Sequence, residues 1–203
     1  EHTYETAVLS AHNGFLVKNV IEDAKVVYCC NIFPGHHSTN SSYAGYCFIN
    51  NAATCAEILN INGYKVAILD IDFHHGDGTQ EYFRNKDNVL RISIHGDPKD
   101  AYPFYSGYTD ENTALNYNYP LPRTSSISTY TEVLSQALDT IASYNPDVLI
   151  IAFGGDTCQS DPQGSFDLQP NDYITIAKLI RDKINKPLVV TQEGGYAMDI
   201  IAD

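Results

Sequence analysis

A short apolar segment that ends in a cluster of acids and imidazoles constrains this chain most. Residues 66–71 read Val-Ala-Ile-Leu-Asp-Ile, and residues 70–77 carry three aspartates and two histidines. Such an apolar run is typical of a buried strand in a parallel sheet, and these sheets bind ligands at the carboxyl ends of their strands. Because burying like charges without a cation is costly, the cluster predicts a metal site rather than a metal-free charged turn.

The spacing within the cluster predicts which side chains bind the metal. In an extended backbone, side chains two residues apart share a face, which aligns Asp70, Asp72 and His74. Asp72 and His74 offer an oxygen and a nitrogen suited to a divalent cation. A third ligand, for which we choose Asp156, leaves a coordination position for water. Zinc is our choice from the ligand types, although iron or cobalt suits similar ligands.

Apolar periodicity along the chain alternates between helices and strands. Helices are predicted at 5–22, 48–61, 79–84, 127–143 and 170–184, and strands at 25–30, 65–71, 89–94, 147–153 and 187–192. This alternation predicts an α/β fold with a mainly parallel sheet flanked by helices on both faces. Residues 95–125 are predicted to form a long aromatic loop that contributes to a binding channel. The apolar face of the first helix is expected to contain Ala7, Val8, Ala11, Phe15 and Leu16.

Composition predicts a globular chain and limits its partners. The 203 residues are 43% hydrophobic, carry a formal net charge of −13 and are expected to form one domain. This charge opposes binding to nucleic acid or an anionic membrane and favours a small cationic substrate. An equally good explanation is that the charge keeps the protein from aggregating in solution. Five cysteines without a Cys-x-x-Cys pair, and no apolar run of about 20 residues, predict a cytoplasmic protein without a membrane span. Because the chain lacks an initiator methionine, we expect it to be part of a longer polypeptide.

Polar residues beside glycines follow four of the predicted strands. They are His36 and His37, the aspartate cluster, Asp156 and Tyr196. Because the ends of parallel strands share one edge of a sheet, we expect these groups to be neighbours.

This arrangement predicts a hydrolase with one metal ion. His36 and His37 titrate near neutrality and are candidates for proton transfer, while Asp70 and Asp77 are candidates to orient them. The Tyr196 hydroxyl is a candidate donor to an oxyanion opposite the metal. A serine nucleophile is not supported, since the sequence contains no Gly-x-Ser-x-Gly motif.

Five motifs in combination resemble the zinc-dependent histone deacetylase superfamily. They lie at residues 34–37 (Pro-Gly-His-His), 45–52, 70–80, 155–162 (Gly-Asp-Thr and Asp-Pro) and 193–196 (Glu-Gly-Gly-Tyr). The resemblance extends from about residue 6 to the end of the chain. Within the superfamily, residues 93–108 and 166–173 are most similar to bacterial acetylpolyamine amidohydrolases.

The resemblance implies a fold, a reaction and a ligand set. The fold is the arginase/deacetylase fold, with an eight-stranded parallel sheet, and the reaction hydrolyses an N-acetyl amide to acetate and an amine. One Zn²⁺ per chain is implied, with Asp72, His74 and Asp156 as its ligands. Catalytic roles are implied for the general acid/base pair His36 and His37, their partners Asp70 and Asp77, and the carbonyl-polarising Tyr196.

Further roles follow from the same resemblance. Gly45, Tyr46, Tyr102 and Gly195 match positions that line a narrow channel for a small cationic acetylated amine or an acetyl-lysine side chain. The resemblance also implies two sites for monovalent cations, usually structural potassium. The first involves Asp70, Asp72, His74, Ser93 and Ile94, and the second involves Phe83 and Val89. A homo-oligomer is also compatible with the resemblance.

Two departures from the family pattern support a second hypothesis. Ile32 and Phe33 stand where relatives usually carry Arg-Pro, and the family's catalytic domains extend further on the N-terminal side. The alternative is therefore a truncated, catalytically silent homologue that acts as a binding or assembly module. A dinuclear ureohydrolase is a distant third hypothesis. Its second metal ion would need further Asp or His ligands, and residues 73–76 do not supply the alternating carboxylates.

Overall fold

The computed structural model describes residues 2–199, which form one six-stranded sheet with all its strands parallel. The strands are β1 (Val26–Cys29), β2 (Val66–Asp70), β3 (Val89–Gly96), β4 (Asn116–Leu121), β5 (Val148–Phe153) and β6 (Leu188–Gln192). The helices are α1 (Thr3–Val17), α2 (Asn51–Ile61), α3 (Asp77–Tyr82), α4 (Ile127–Tyr144) and α5 (Asp172–Lys183). The strand order is β1-β6-β5-β2-β3-β4, which confirms the predicted parallel α/β sheet.

Two apolar layers cover the sheet and determine which way the β2 side chains point. Ala67 and Leu69 pack into the layer that contains α4 and α5. Val66 and Ile68 pack into the opposite layer, which contains α2 and the end of α1. Because side chains alternate along a strand, Asp70 lies on the α2 side, next to the loop that precedes that helix. No helix within residues 2–199 is long and apolar enough to cross a membrane.

The sheet differs from the expectation in its number of strands. Residues 2–199 contribute six strands, whereas the resemblance implied eight. In addition, the predicted loop 95–125 contains the edge strand β4. Asn116 and Asn118 of this strand are buried and donate to Gln80 Oε1 over 2.8 and 2.9 Å. Tyr117, Tyr119 and Leu121 of the other face pack on the layer of α4 and α5. Because one face is buried through polar residues, β4 lacks the continuous apolar run of the other buried strands.

The buried face of α1 also differs from the expectation. Ala7 and Ala11 are buried as predicted, but Val8, Phe15 and Leu16 are exposed. A Cβ atom at Gly14 would lie 3.1 Å from the Cα of Cys55, so the helix packs closely on α2 through its small residues. The prediction was therefore right for the small residues of this face and wrong for the three large ones. The helix also ends at Val17 rather than near residue 22.

Candidate metal centre and active site

Two buried carboxylates and one imidazole meet at the carboxyl ends of β2 and β5. His74 Nδ1 lies 3.2 Å from Asp72 Oδ1 and 2.9 Å from Asp156 Oδ2. The ligand atoms of the three residues all lie within 4.8 Å of one another, and both aspartates are fully buried. Burial and the charge of Asp72 raise the pKa of Asp156 to about 7. A divalent cation would relieve this repulsion, so the donor set fits a metal of the zinc type.

Backbone groups and one glycine fix the orientation of the two carboxylates. Asp156 Oδ1 accepts the backbone N–H of Phe73 over 2.8 Å, and Asp72 Oδ2 accepts that of Gly194 over 2.8 Å. A Cβ atom at Gly154 would lie only 2.3 Å from Asp72 Oδ2. Only glycine therefore permits the turn after β5 to approach the carboxylate this closely.

Two histidines that are neighbours in the sequence lie in the loop after β1, and each is paired with a buried aspartate. His36 Nδ1 lies 3.0 Å from Asp70 Oδ2, and His37 Nδ1 lies 2.6 Å from Asp77 Oδ1. Asp70 ends β2 and Asp77 begins α3, so the elements on both sides of the aspartate cluster support the pair of imidazoles. The structure thus brings together the two histidines predicted to transfer protons and the two aspartates predicted to orient them.

The pKa values of the two histidines are shifted in opposite directions. Burial opposes protonation of His36, but the carboxylates of Asp72 and Asp70 outweigh it and raise its pKa well above the usual value. Burial and the charge on His36 lower the pKa of His37 to about 4, despite its bond to Asp77. These directions favour the charged form of His36 and the neutral form of His37.

A cavity of about 370 Å³ opens beside the metal ligands. Its lining residues are His37, Gly45, Tyr46, His74, Tyr102, Gln163 and Tyr196. These include three of the four predicted channel residues, while Gly195 belongs to the adjoining segment and is not a lining residue. The rings of Tyr102 and His37 pack nearly perpendicular to each other at a centroid distance of 4.9 Å, and the ring centroids of Tyr46 and Tyr196 lie 5.8 Å apart. The cavity is therefore largely aromatic, with Gln163 as a wall residue that the sequence interpretation missed.

Two further polar contacts at the site were missed from the sequence. Glu193 Oε2 accepts the backbone N–H groups of Gly35 and His36 over 2.6 and 3.0 Å, and burial raises its pKa to about 7. The Tyr105 hydroxyl donates to Oδ2 of Asp77. Glu193 lies within the quoted Glu-Gly-Gly-Tyr motif and Tyr105 within the aromatic loop, but neither position by itself indicated its partner.

The residues predicted to bind monovalent cations lie in two places. Ser93 is paired with Asp70 in the sheet register, and Ile94 follows it on β3. Phe83 and Val89 are buried together in the apolar layer on the α2 side. Ser93 Oγ lies 2.8 Å from His95 Nδ1, a ring that the sequence interpretation did not single out.

A second group of potential ligands consists of His36, Cys47 and Glu193. Its atoms already have other partners: His36 binds Asp70, Glu193 accepts two backbone N–H groups, and the Cys47 thiol donates to the carbonyl of Gly45. Burial and the nearby Glu193 also raise the pKa of Cys47 well above its usual range, which disfavours the thiolate. Among the residues that the structure describes, this group is therefore the poorer of the two candidate metal sites.

Comparison with known proteins identifies the same family along the whole chain. The profile of the histone deacetylase domain matches residues 1–203. Acetylpolyamine amidohydrolase 1 of Pseudomonas aeruginosa is 42% identical over 83% of this chain and 50% of its own length. Histone deacetylase 8 of Arabidopsis thaliana is 32% identical over 96% of this chain and 56% of its own length.

A solved structure has the same fold. The crystal structure of acetylpolyamine aminohydrolase from Burkholderia pseudomallei matches with a TM-score of 0.93 and 35% identity. The match covers 98% of this chain and 60% of that one. The chain therefore spans about half to three fifths of the length of these relatives.

Proposed function

Because this chain belongs to the histone deacetylase family, we propose that it hydrolyses N-acetylated amines to acetate and a free amine, with residues 1–203 within its catalytic domain. The observation that supports this most is a convergence. His37, His74 and Tyr196 line one aromatic cavity. Asp72 and Asp156 contact His74, and each of the two adjacent histidines is paired with a buried aspartate.

In this proposal Asp72, His74 and Asp156 hold one Zn²⁺. The buried pair of carboxylates and the imidazole nitrogen that faces both of them support this assignment. Zinc, when bound there, supplies polarisation of the acetyl carbonyl and of the attacking water.

His37 is the group that moves the proton. Its Nδ1 is held by Asp77, which leaves Nε2 to accept a proton from the attacking water, and its lowered pKa keeps it neutral for that step. As the carbon–nitrogen bond of the amide breaks, the same nitrogen returns the proton to the leaving amine. His36, held by Asp70, packs against His37 at a ring centroid distance of 4.0 Å and is the second member of the proposed acid/base pair.

Tyr196 is the group that stabilises the negative charge that develops on the acetyl oxygen. It lines the cavity that His37 and His74 also line. Burial and the charge of Asp72 raise the pKa of its hydroxyl, so it stays protonated and can donate to the acetyl oxygen. Donors in this role typically contribute about 3 kcal/mol to transition-state stabilisation.

Acetylpolyamines are the first candidate substrates and acetyl-lysine side chains the second. Support comes from the net charge of −13, which attracts cationic amines, and from the relatives named for acetylpolyamines. The aromatic walls formed by Tyr46 and Tyr102 suit the slender apolar stem that both substrates share.

A structural potassium ion near Ser93 is also part of the proposal. His95 Nε2 lies 2.9 Å from the carbonyl of Gly107 and must carry a proton to donate to it, so His95 Nδ1 accepts from the Ser93 hydroxyl. The lone pairs of Ser93 Oγ then remain available to a cation beside Asp70. Oxygen donors of this kind suit a hard monovalent ion.

Acetate release from N-acetylputrescine and from an acetyl-lysine peptide tests the proposed reaction. We expect turnover by the intact protein, its loss after treatment with a chelator and its return with added zinc. The Asp156→Ala protein is the matched control and should stay inactive after the same addition. If the folded, zinc-loaded protein turned over neither substrate, the alternative of a binding or assembly module would be favoured.

A further inference from the structure

Asp161 binds two separate loops of the candidate site through its carboxylate. Oδ1 accepts the backbone N–H groups of Gln163 and Gly164 over 2.8 and 3.0 Å. Oδ2 accepts those of Tyr196 and Ala197 over 2.6 and 3.1 Å. The side chain is buried, so one carboxylate satisfies four backbone donors away from bulk water.

The two loops that Asp161 joins carry different parts of the proposed chemistry. The first follows β5 and contains the candidate metal ligand Asp156, whose backbone carbonyl accepts the N–H of Ser165 over 2.8 Å. The second follows β6 and contains Tyr196. The loops also meet near their starts, where the Gly155 N–H donates to the carbonyl of Gly194 over 2.8 Å. Asp161 therefore supplies the second connection, directly at the residue that carries the phenol.

We propose that Asp161 is a positioning residue for Tyr196, an inference that rests on the proposed function of this site. By holding the backbone N–H of Tyr196 against the loop of Asp156, the carboxylate fixes how far the phenol stands from the metal ligands. The same carboxylate orders the turn at Gln163, which lines the cavity together with Tyr196. Asp161 itself is not a lining residue of this cavity.

The chemistry of the four bonds requires a carboxylate. Each oxygen of an aspartate can accept two hydrogen bonds, whereas an asparagine offers one oxygen and an NH₂ group that only donates. In Asp161→Asn one pair of backbone N–H groups would face another donor, and one of the two loops would be released. The phenol would then sample positions from which it cannot reach the acetyl oxygen.

A double-mutant cycle tests this role. We expect Asp161→Asn to lower kcat about tenfold with little change in KM and with zinc content retained. In the Tyr196→Phe background the same substitution should have almost no further effect on kcat, because the hydroxyl that it misplaces is already absent. Asp147→Asn is the matched control, since Asp147 also accepts a backbone N–H, that of Lys65, but lies at the opposite end of the sheet. Equal effects of Asp161→Asn in both backgrounds would overturn the proposal.

Amide hydrogen exchange tests the same role without any activity. In the wild-type protein the amides of Tyr196 and Ala197 should be protected, and in Asp161→Asn they should exchange at least about tenfold faster than in the wild type, whereas the amides of β6 should not change. Unprotected amides in the wild type would overturn the proposal even if the variant did not fold. Unchanged exchange in a folded variant would overturn it too. If the wild-type protein deacetylated no substrate and the amide exchange still changed as expected, the proposed reaction would be wrong. The role of Asp161 in holding the two loops together would remain supported.

Discussion

His37 and Asp77 form a buried hydrogen bond of 2.6 Å between Nδ1 and Oδ1, at the boundary between the cavity and α3. The second oxygen of Asp77 accepts the hydroxyl of Tyr105, a residue of the aromatic loop that is largely exposed. A chain of hydrogen bonds therefore runs from the protein surface to the imidazole that we propose as the proton-transfer group. Such a chain makes the basicity of His37 depend on a residue outside the cavity.

Tyr105→Phe should therefore raise the pKa of His37. Loss of the donor concentrates negative charge on Asp77, which strengthens its attraction for the protonated imidazole. Because the reaction needs neutral His37, the acid limb of the kcat/KM profile should move to higher pH by about half a unit. Tyr108→Phe is the control, since that hydroxyl of the same loop donates to the carbonyl of Phe104. A limb that stayed in place in Tyr105→Phe would contradict the connection.

Gly45→Ala should abolish most activity while zinc stays bound. A Cβ atom at this position would lie 2.2 Å from Cδ2 of His37 and would displace the imidazole. We expect kcat to fall about 100-fold, as for other small displacements of a catalytic group. Gly63→Ala is the control that separates the steric clash with His37 from backbone strain. Gly45 and Gly63 both have a positive φ, but a Cβ atom at Gly63 would meet no other atom within 4 Å. A similar loss of activity in both variants would argue against the contact with His37.

Glu193→Gln should change how stability depends on pH. The folded protein holds the pKa of Glu193 at about 7, above the ordinary value of 4.5 expected after unfolding. The folded state therefore binds the carboxyl proton of Glu193 more tightly than the unfolded state does. The protonated side chain contributes its full stabilisation below about pH 4.5, and this stabilisation is lost as the pH rises through 7. Between pH 4.5 and 8 the wild type should lose up to about 3 kcal/mol of unfolding free energy relative to Glu193→Gln.

Chemical denaturation of zinc-loaded proteins across that pH range measures the difference. Glu132→Gln, which changes an exposed glutamate of α4, is the control for the substitution itself. A wild type that became more stable than Glu193→Gln as the pH rose would show that the sign is wrong.

Tyr196→Phe should separate transition-state stabilisation from metal binding. The variant keeps the ring that packs near Tyr46 but loses the hydroxyl, so kcat should fall about 100-fold with full zinc content. Asp156→Ala should instead lose both zinc and activity, because it removes a ligand. Steady-state kinetics with metal analysis of the same samples distinguishes the two, and full activity in Tyr196→Phe would remove the hydroxyl from the mechanism.

The residues that the sequence predicted best are those at the ends of apolar strands. Asp72 and Asp156 could be placed together because each follows a strongly apolar run, and parallel strands end at the same edge. The strand β4 escaped detection because one of its faces is buried through asparagines that bind Gln80, and only the other face, with Tyr117, Tyr119 and Leu121, packs on apolar residues.

The positioning contacts could not be predicted, because they connect side chains to backbone groups far away in the sequence. Asp161 meets the N–H of Tyr196 across 35 residues, and Glu193 meets that of His36 across 157. Neither partner carries a side-chain signal, since any residue type offers a backbone N–H. The motifs that contain Asp161 and Glu193 could be recognised in the sequence, but the contacts of these two residues could be identified only in the structure.

Diffraction from crystals of the zinc-loaded protein at wavelengths on both sides of the zinc absorption edge tests the central claim most directly. We expect one anomalous peak per chain that appears only above the edge, between His74 Nδ1 and the carboxylates of Asp72 and Asp156. A peak elsewhere, a second peak of equal height at His36 and Glu193, or no peak among these three side chains would contradict the account.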